Sequence, residues 1–305
     1  MPCADDPHIP LHIPPHIRPM CREELSFAMD LAAAEGWNPG LHDADCFYAV
    51  DPGGFLLAEL PGQGAGGAAE PVGCICAVAY GDDFGFMGLY IVRPEYRGRG
   101  YGLKLWNAGL DRLLAGAPGR NIGLDGVLAQ QENYARSGFR WAFRSVRYRA
   151  RSGAALAQGE RPEHVAPLDG ISRRVLLEYD RSCFPAEREG FLAAWTVSPG
   201  SRALAWLDDG WLAGYGVIRP CREGWKIGPL FADHGAAARG LLGALASAAG
   251  EAPVYFDVPE PHARAVALAE GLGMERVFET ARMYTRGLPE VDAGRVWGVT
   301  TFELG

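Results

Sequence analysis

Three glycines alternate with bulkier residues in Arg97-Gly98-Arg99-Gly100-Tyr101-Gly102. An apolar run, Phe84–Val92, enters this segment through Arg93-Pro94, and Leu103, Trp106, Leu110, Leu113 and Leu114 leave it at helical spacing. A strand ends, glycines turn the chain, and a helix begins. Glycine takes positive φ freely and lets a ligand approach the backbone. Successive amides of such a turn, with the free N–H groups of the first helical turn, form a concavity that favours an anion. A pyrophosphate suits it. A nucleoside-triphosphate loop would need Gly-Lys-Ser/Thr at its end, and this chain has Gly102-Leu103-Lys104-Leu105. A dinucleotide fingerprint starting at Gly98 would need a glycine where Leu103 stands. The bland alternative is a glycine-rich strand–helix connection that binds nothing.

Further groups have the types that acid–base chemistry uses. Asp82, Asp83, Asp125 and Glu132 are carboxylates downstream of the first strong strand. Asp125 lies in Leu124-Asp125-Gly126-Val127, an acid within an apolar strand, where burial is costly without a partner. It reads equally as a base and as a structural hydrogen-bond acceptor. Glu35-Gly36-Trp37-Asn38-Pro39-Gly40 closes the first helical segment, and Trp37 reads either as a plug at a helix stop or as the wall of a pocket. No metal site is expected. His8, His12 and His16 have i, i+4 spacing, but Pro10, Pro14 and Pro15 forbid the helix that would align them. Residues 1–15 therefore read as a flexible lead-in.

These residues need a scaffold, and the chain supplies the pattern of one twice. Residues 16–150 read as a mixed α/β unit: a short strand at 17–20, a helix over 21–36, strand-like runs at 47–50 and 54–60, and a loop at 62–67. Strands at 72–80 and 84–92, the helix after the turn, a strand over 121–127, a short helix over 132–137 and a closing strand at 144–150 complete it. Residues 151–165, rich in Gly, Ala, Gln and Pro, mark a linker. Residues 166–305 echo the first unit at an offset of 135–141 residues: strand 211–219, strand 226–231, helix 236–249, strand 254–258, and Arg282-Met283-Tyr284 in place of Arg147-Tyr148.

The segment with Val92-x-Pro94 before Arg97-x-x-Gly100-x-Gly102 resembles the acetyl-coenzyme A turn of the GNAT superfamily of N-acetyltransferases, and the whole chain resembles two-domain GNAT proteins of the YitH type. The fold implied is α/β (α+β): tandem GNAT-like domains, each a mixed, mostly antiparallel sheet flanked by helices, with a splayed central parallel strand pair in the first. The resemblance implies that Tyr90, Ile91 and Val92 offer main-chain contacts to the pantetheine arm of acetyl-CoA, and that amides from Arg97 through Gly98, Arg99, Gly100 and Tyr101 to Gly102 hold the pyrophosphate. Arg97 and Arg99 either add side-chain charge there or are solvated surface groups. Tyr134, four residues before Gly138-Phe139, matches the tyrosine that protonates the departing thiolate. A phenol near pKa 10 can protonate a thiolate near 8.5 when a hydrogen bond aligns them. Trp37 and Asn38 follow the helix that shapes the acceptor pocket in this superfamily.

The second half departs at the corresponding turn. Ala232-Asp233-His234-Gly235-Ala236-Ala237 lacks the alternating glycines and places an acid where a phosphate would lie, so this half is expected to be degenerate for coenzyme A. The implied activity is acetyl transfer to a primary amine of a small-molecule or peptide acceptor by direct attack in a ternary complex. A non-catalytic acyl-CoA-binding protein is the alternative.

Composition agrees with such an enzyme. Over 305 residues the formal net charge is −8, with 13 basic against 17 acidic residues in 1–150 and 16 against 20 in the rest. Neither half is a basic module, so no nucleic-acid partner is expected. No apolar run approaches the roughly 18 residues of a membrane span. Seven cysteines without a Cys-x-x-Cys pair suit a reducing cytoplasm. The oligomeric state stays open.

Overall fold

The computed structural model describes residues 13–62, 67–157 and 163–305. Most of the 1–15 lead-in, with His8 and His12, lies outside them, as do residues 63–66 of the first loop and 158–162 of the linker. His16 opens the first strand. In chain order the first half forms β1 (His16–Pro19), α1 (Leu25–Ala34), α2 (Asp43–Tyr48), β2 (Phe55–Leu60), β3 (Glu70–Tyr80), β4 (Phe84–Val92), α3 (Tyr101–Leu114), β5 (Asn121–Val127), α4 (Gln131–Arg136) and β6 (Arg140–Ala150). The rest forms α5 (Gly153–Leu156), β7 (Val165–Pro167), α6 (Arg173–Cys183), α7 (Glu189–Trp195), β8 (Arg202–Asp208), β9 (Trp211–Pro220), β10 (Trp225–Ala232), α8 (Gly235–Ala246), β11 (Val254–Pro259), α9 (Ala263–Gly271), β12 (Glu275–Tyr284) and β13 (Val296–Gly298).

β3 is buried along nearly its whole length because both faces of the sheet are covered there. α3 covers one face, burying Tyr101, Leu105, Trp106, Gly109 and Leu113 along a single stripe. One expectation is corrected. The strand-like run 47–50 belongs to α2 and the turn after it. Burial there recurs at Asp43, Cys46 and Phe47, the i, i+3, i+4 spacing of a helix face, and the apolar run misled because its first anchor is an acid.

The strands form one continuous sheet in the order β1-β2-β3-β4-β5-β12-β6-β11-β10-β9-β8-β7, with β13 attached to β10. The two halves trade their long late strands. β12, from the second half, pairs antiparallel with β5, and β6, from the first, pairs antiparallel with β11. The two traded strands also pair with each other. The linker at 151–165 therefore marks no break in the sheet.

Buried ion pairs pin this exchange. Arg147 on β6 forks onto Asp257 on β11 at 2.7 and 2.8 Å. Arg282 on β12 meets Asp125 on β5 at 2.5 Å. Arg219 on β9 reaches Asp43 on α2 at 2.7 Å. Such pairs add little net stability over an apolar contact, but losing one partner strands a buried charge, so they penalise any other register.

Candidate active site

β4 and β5 run parallel and stay paired only from Phe84 opposite Asn121 to Met87 opposite Leu124. Beyond that they part. The divergence has a local cause in a bulge where β3 and β4 lose register between Cys74 and Cys76. Opposite it, Leu89 takes φ 46°, a conformation unusual for a leucine and one that persists only where the surroundings enforce it. The edge of β4 from Leu89 to Val92 thus faces an opening instead of β5.

That opening is a cavity of about 400 Å³. It is lined by Tyr90, Ile91 and Val92 along the open strand, by Arg97, Gly98, Tyr101 and Gly102 at the turn, and by Trp37 and Tyr134. At the turn Gly98 and Gly100 both sit at φ 77°, and Gly100 caps α3 in the left-handed region. Gly102 brings the helix start close to Tyr90, since a Cβ there would lie 2.5 Å from the Tyr90 hydroxyl. Gly98, Tyr101 and Gly102 at this helix start line the cavity, and the free amides of a helix N-terminus suit an anion such as a diphosphate.

The side chains at the turn have local duties. Arg97 donates from Nε to the Val92 carbonyl at 2.8 Å and pairs with Glu35. Arg99 donates to the Glu95 carbonyl at 3.0 Å and lies over the Tyr96 ring. Arg99 and Gly100 do not line the cavity. Nor does Asn38. Its side chain instead bridges to the second half, donating to the Glu223 carbonyl at 2.9 Å and accepting from the Glu223 amide at 2.8 Å.

Tyr134 is buried and stacks on Trp106, which also touches Tyr90. Gly126 makes room for it, since a Cβ there would fall 2.1 Å from the Tyr134 ring. Burial, with a smaller contribution from Tyr90, pushes the Tyr134 phenol above its ordinary value. It stays protonated at neutral pH.

Among the candidate bases, Asp82, Asp83 and Glu132 are exposed and lie off the cavity. Asp125 lines it, but its carboxylate is held by Arg282 and by Thr280 Oγ1 at 3.0 Å. Burial raises its pKa and Arg282 opposes that shift. Asp125 is a structural acceptor joining β5 to β12.

The cavity also holds residues that the sequence reading did not assign to a site. Arg147, Phe278, Phe302 and Glu303 form its far end with Trp37. They arrive through strand exchange and through residues 299–305, which leave β13 and run back to the first half. In the second half β10 and β11 pair in parallel from Trp225 to Ile227 and then part, as β4 and β5 do. Here the gap is filled by the chain itself. β13 pairs antiparallel with β10 at Leu230 and Phe231, and Trp297 donates to the Ala232 carbonyl at 3.0 Å.

A parallel strand pair that splays beside a glycine turn, with a buried tyrosine on the opposite wall, defines an acyltransferase fold of the GNAT type. A profile described as Acetyltransferase (GNAT) family matches residues 19–139, and one described as Acetyltransferase (GNAT) domain matches residues 176–298. The chain belongs to the GNAT superfamily and carries two such domains. It is 27% identical over 289 residues to the holothin acyltransferase of Pseudoalteromonas sp. (strain SANK 73390), covering 94% of each chain. In fold it is similar to a putative acetyltransferase from Pyrococcus horikoshii, with TM-score 0.78, 24% identity and coverage of 98% and 99%. It is also similar to a tandem GNAT protein from the clavulanic acid biosynthesis pathway, with TM-score 0.59, 16% identity and coverage of 88% and 98%. The six described cysteines are unpaired, and no described helix is long and apolar enough to cross a membrane.

Proposed function

We propose that this protein transfers an acyl group, acetyl in the simplest case, from acyl-coenzyme A to the primary amine of a compact acceptor, by direct attack with both substrates bound. The observation that carries this reading is the open edge of β4 from Leu89 to Val92, set between the glycine turn and the buried Tyr134. Acyl-coenzyme A supplies the activated acyl group and a thiol leaving group. Main-chain groups of Tyr90, Ile91 and Val92 align the arm along the strand edge, and amides from Arg97 to Gly102 hold its diphosphate. The Tyr134 hydroxyl gives a proton to the leaving sulfur. Holding both reactants in line accounts for much of the acceleration.

The acceptor enters at the far end, among Trp37, Phe278, Phe302 and Glu303. This aromatic end suits a small amine better than a protein tail. The relative named for one compound, holothin, supports a discrete acceptor of that kind. The second domain shapes the acceptor end and binds no coenzyme A of its own, because β13 takes the place along β10 that an arm would need. The unpaired cysteines support a cytoplasmic setting.

The test is thiol release from acetyl-, propionyl- and longer acyl-coenzyme A across a panel of primary amines. Faster release with at least one compact amine is expected. Binding of acyl-coenzyme A without release to any amine would leave a binding protein instead.

A further inference from the structure

Resting on the reading above, we infer that Glu303 is the base of this site: its carboxylate, carried into the acceptor end of the cavity by residues 299–305, receives the proton of the incoming amine. Glu303 lines the cavity and is only 4% exposed. Its Oε2 is buried without a hydrogen-bond partner, and it forms no ion pair among the described residues. A buried carboxylate oxygen left unmatched is costly. A structural acid would be matched, as Asp125, Asp257, Asp43 and Asp180 all are. An acid that must take a proton from a ligand keeps its oxygen free for it.

The chain holds this carboxylate in place. The Val299 amide donates to the Asp257 carbonyl at 2.9 Å, and Arg188 donates to Thr300 Oγ1 at 2.9 Å. The Leu304 amide donates to Thr301 Oγ1 at 2.9 Å, and the Tyr80 hydroxyl donates to the Leu304 carbonyl at 3.0 Å. Two glycines make the path. A Cβ on Gly228 would lie 2.4 Å from the Thr300 carbonyl oxygen, and one on Gly88 would lie 2.1 Å from that of Glu303. Glu303 therefore lies against β4 at Gly88, next to the Leu89 bulge where the open edge begins. Catalytic geometry needs such fixed support.

Cationic side chains from three strands surround it. Arg147 from β6, Arg219 from β9 and Lys226 from β10 all feel the charge of Glu303. Asp257 and Asp43 already match the two arginines. Lys226 donates to the Asn38 carbonyl at 2.9 Å and forms no ion pair with a carboxylate among the described residues. In the step, an acceptor ammonium gives one proton to Glu303, and the freed nitrogen bonds to the acyl carbon as the C–S bond breaks. The nitrogen sheds its second proton while the sulfur gains one from Tyr134, and one proton in net passes to solvent.

The experiment compares full-length wild type with Glu303→Gln, which keeps size and packing, and with Glu132→Gln as an exposed control. Acetyl-coenzyme A binding is read by calorimetry. Thiol release is read from pH 6 to 9 with benzylamine, tyramine, lysine and spermidine. Glu303→Gln is expected to lower kcat by about 10²-fold or more at neutral pH. Acetyl-coenzyme A affinity should be kept, and the loss should shrink toward pH 9, where a growing fraction of the amine arrives neutral. Glu303→Asp should recover part of the rate, and Glu132→Gln should match wild type. Wild-type turnover that Glu303→Gln leaves intact across the range overturns the assignment while sparing the transferase reading. So does a uniform loss of binding and rate together, which marks a packing role. Acetyl-coenzyme A bound by wild type but released to no amine overturns it as well. Failure of wild type to bind acetyl-coenzyme A overturns the transferase reading itself.

Discussion

On β4, Gly88 faces the backbone of residues 299–305, so Gly88→Ala isolates the effect of moving them. The glycine does not hold a positive φ, and alanine fits the strand itself. The cost lies across the gap: the new Cβ would meet the Glu303 carbonyl oxygen at 2.1 Å and its carbonyl carbon and Cα at 2.9 Å. Ordinary carbon–oxygen contacts lie at about 3.3–3.6 Å, so the segment must retreat by about 1 Å. A misplacement of that size at a reacting centre costs about 10²-fold in rate. The glycine turn and Tyr134 lie elsewhere on the cavity wall and should be undisturbed. Steady-state thiol release should therefore show kcat down about 10²-fold, and calorimetry should show acyl-coenzyme A affinity little changed. A folded Gly88→Ala with wild-type kcat would show that the placement of residues 299–305 has no part in turnover.

Tyr134→Phe should lower kcat by about 10²-fold with coenzyme A affinity kept. Because burial raises this phenol, the wild-type kcat–pH profile should show no alkaline decline at the ordinary phenol value of about 10. Gly100→Val places a β-branched side chain at φ 77°, a strain of about 1–2 kcal/mol, and should weaken coenzyme A by about 10-fold or more in calorimetry. Asp257→Asn leaves Arg147 buried without its carboxylate and should cost about 3–5 kcal/mol in urea unfolding at pH 7. Arg147, acting against burial, lowers the folded pKa of Asp257. The pair's contribution is therefore present above the unfolded value of about 3.9 and is lost as pH falls through the folded value. The stability gap between wild type and Asp257→Asn should close in acid.

What the sequence shows plainly is what short-range chemistry dictates. The alternating glycines, the strand before them and the helix after them lie within 31 consecutive residues, 84–114, and needed no tertiary information. Tyr134, singled out by its spacing to Gly138-Phe139, lies on the cavity wall. Asn38 was misplaced because a residue after a helix stop gives no sign that its amide will bridge to Glu223, 185 positions away. The strand exchange is invisible for a similar reason. Nothing in the local pattern of β6 or β12 names its neighbours, and the partners that meet across the exchange, Asp125 with Arg282 and Arg147 with Asp257, lie more than 100 residues apart. Phe302-Glu303-Leu304-Gly305 carries no periodicity that would place it against β4. Its position follows from glycines at 88 and 228 that spare it room.

In the function proposed above, the splay between β4 and β5 receives coenzyme A while its counterpart between β10 and β11 is closed by β13. Isothermal titration of the full-length protein with acetyl-coenzyme A tests it most directly. One equivalent bound per chain is predicted, with the stoichiometry unchanged and the affinity reduced by Gly100→Val. Two equivalents per chain, or none at millimolar ligand, would contradict it.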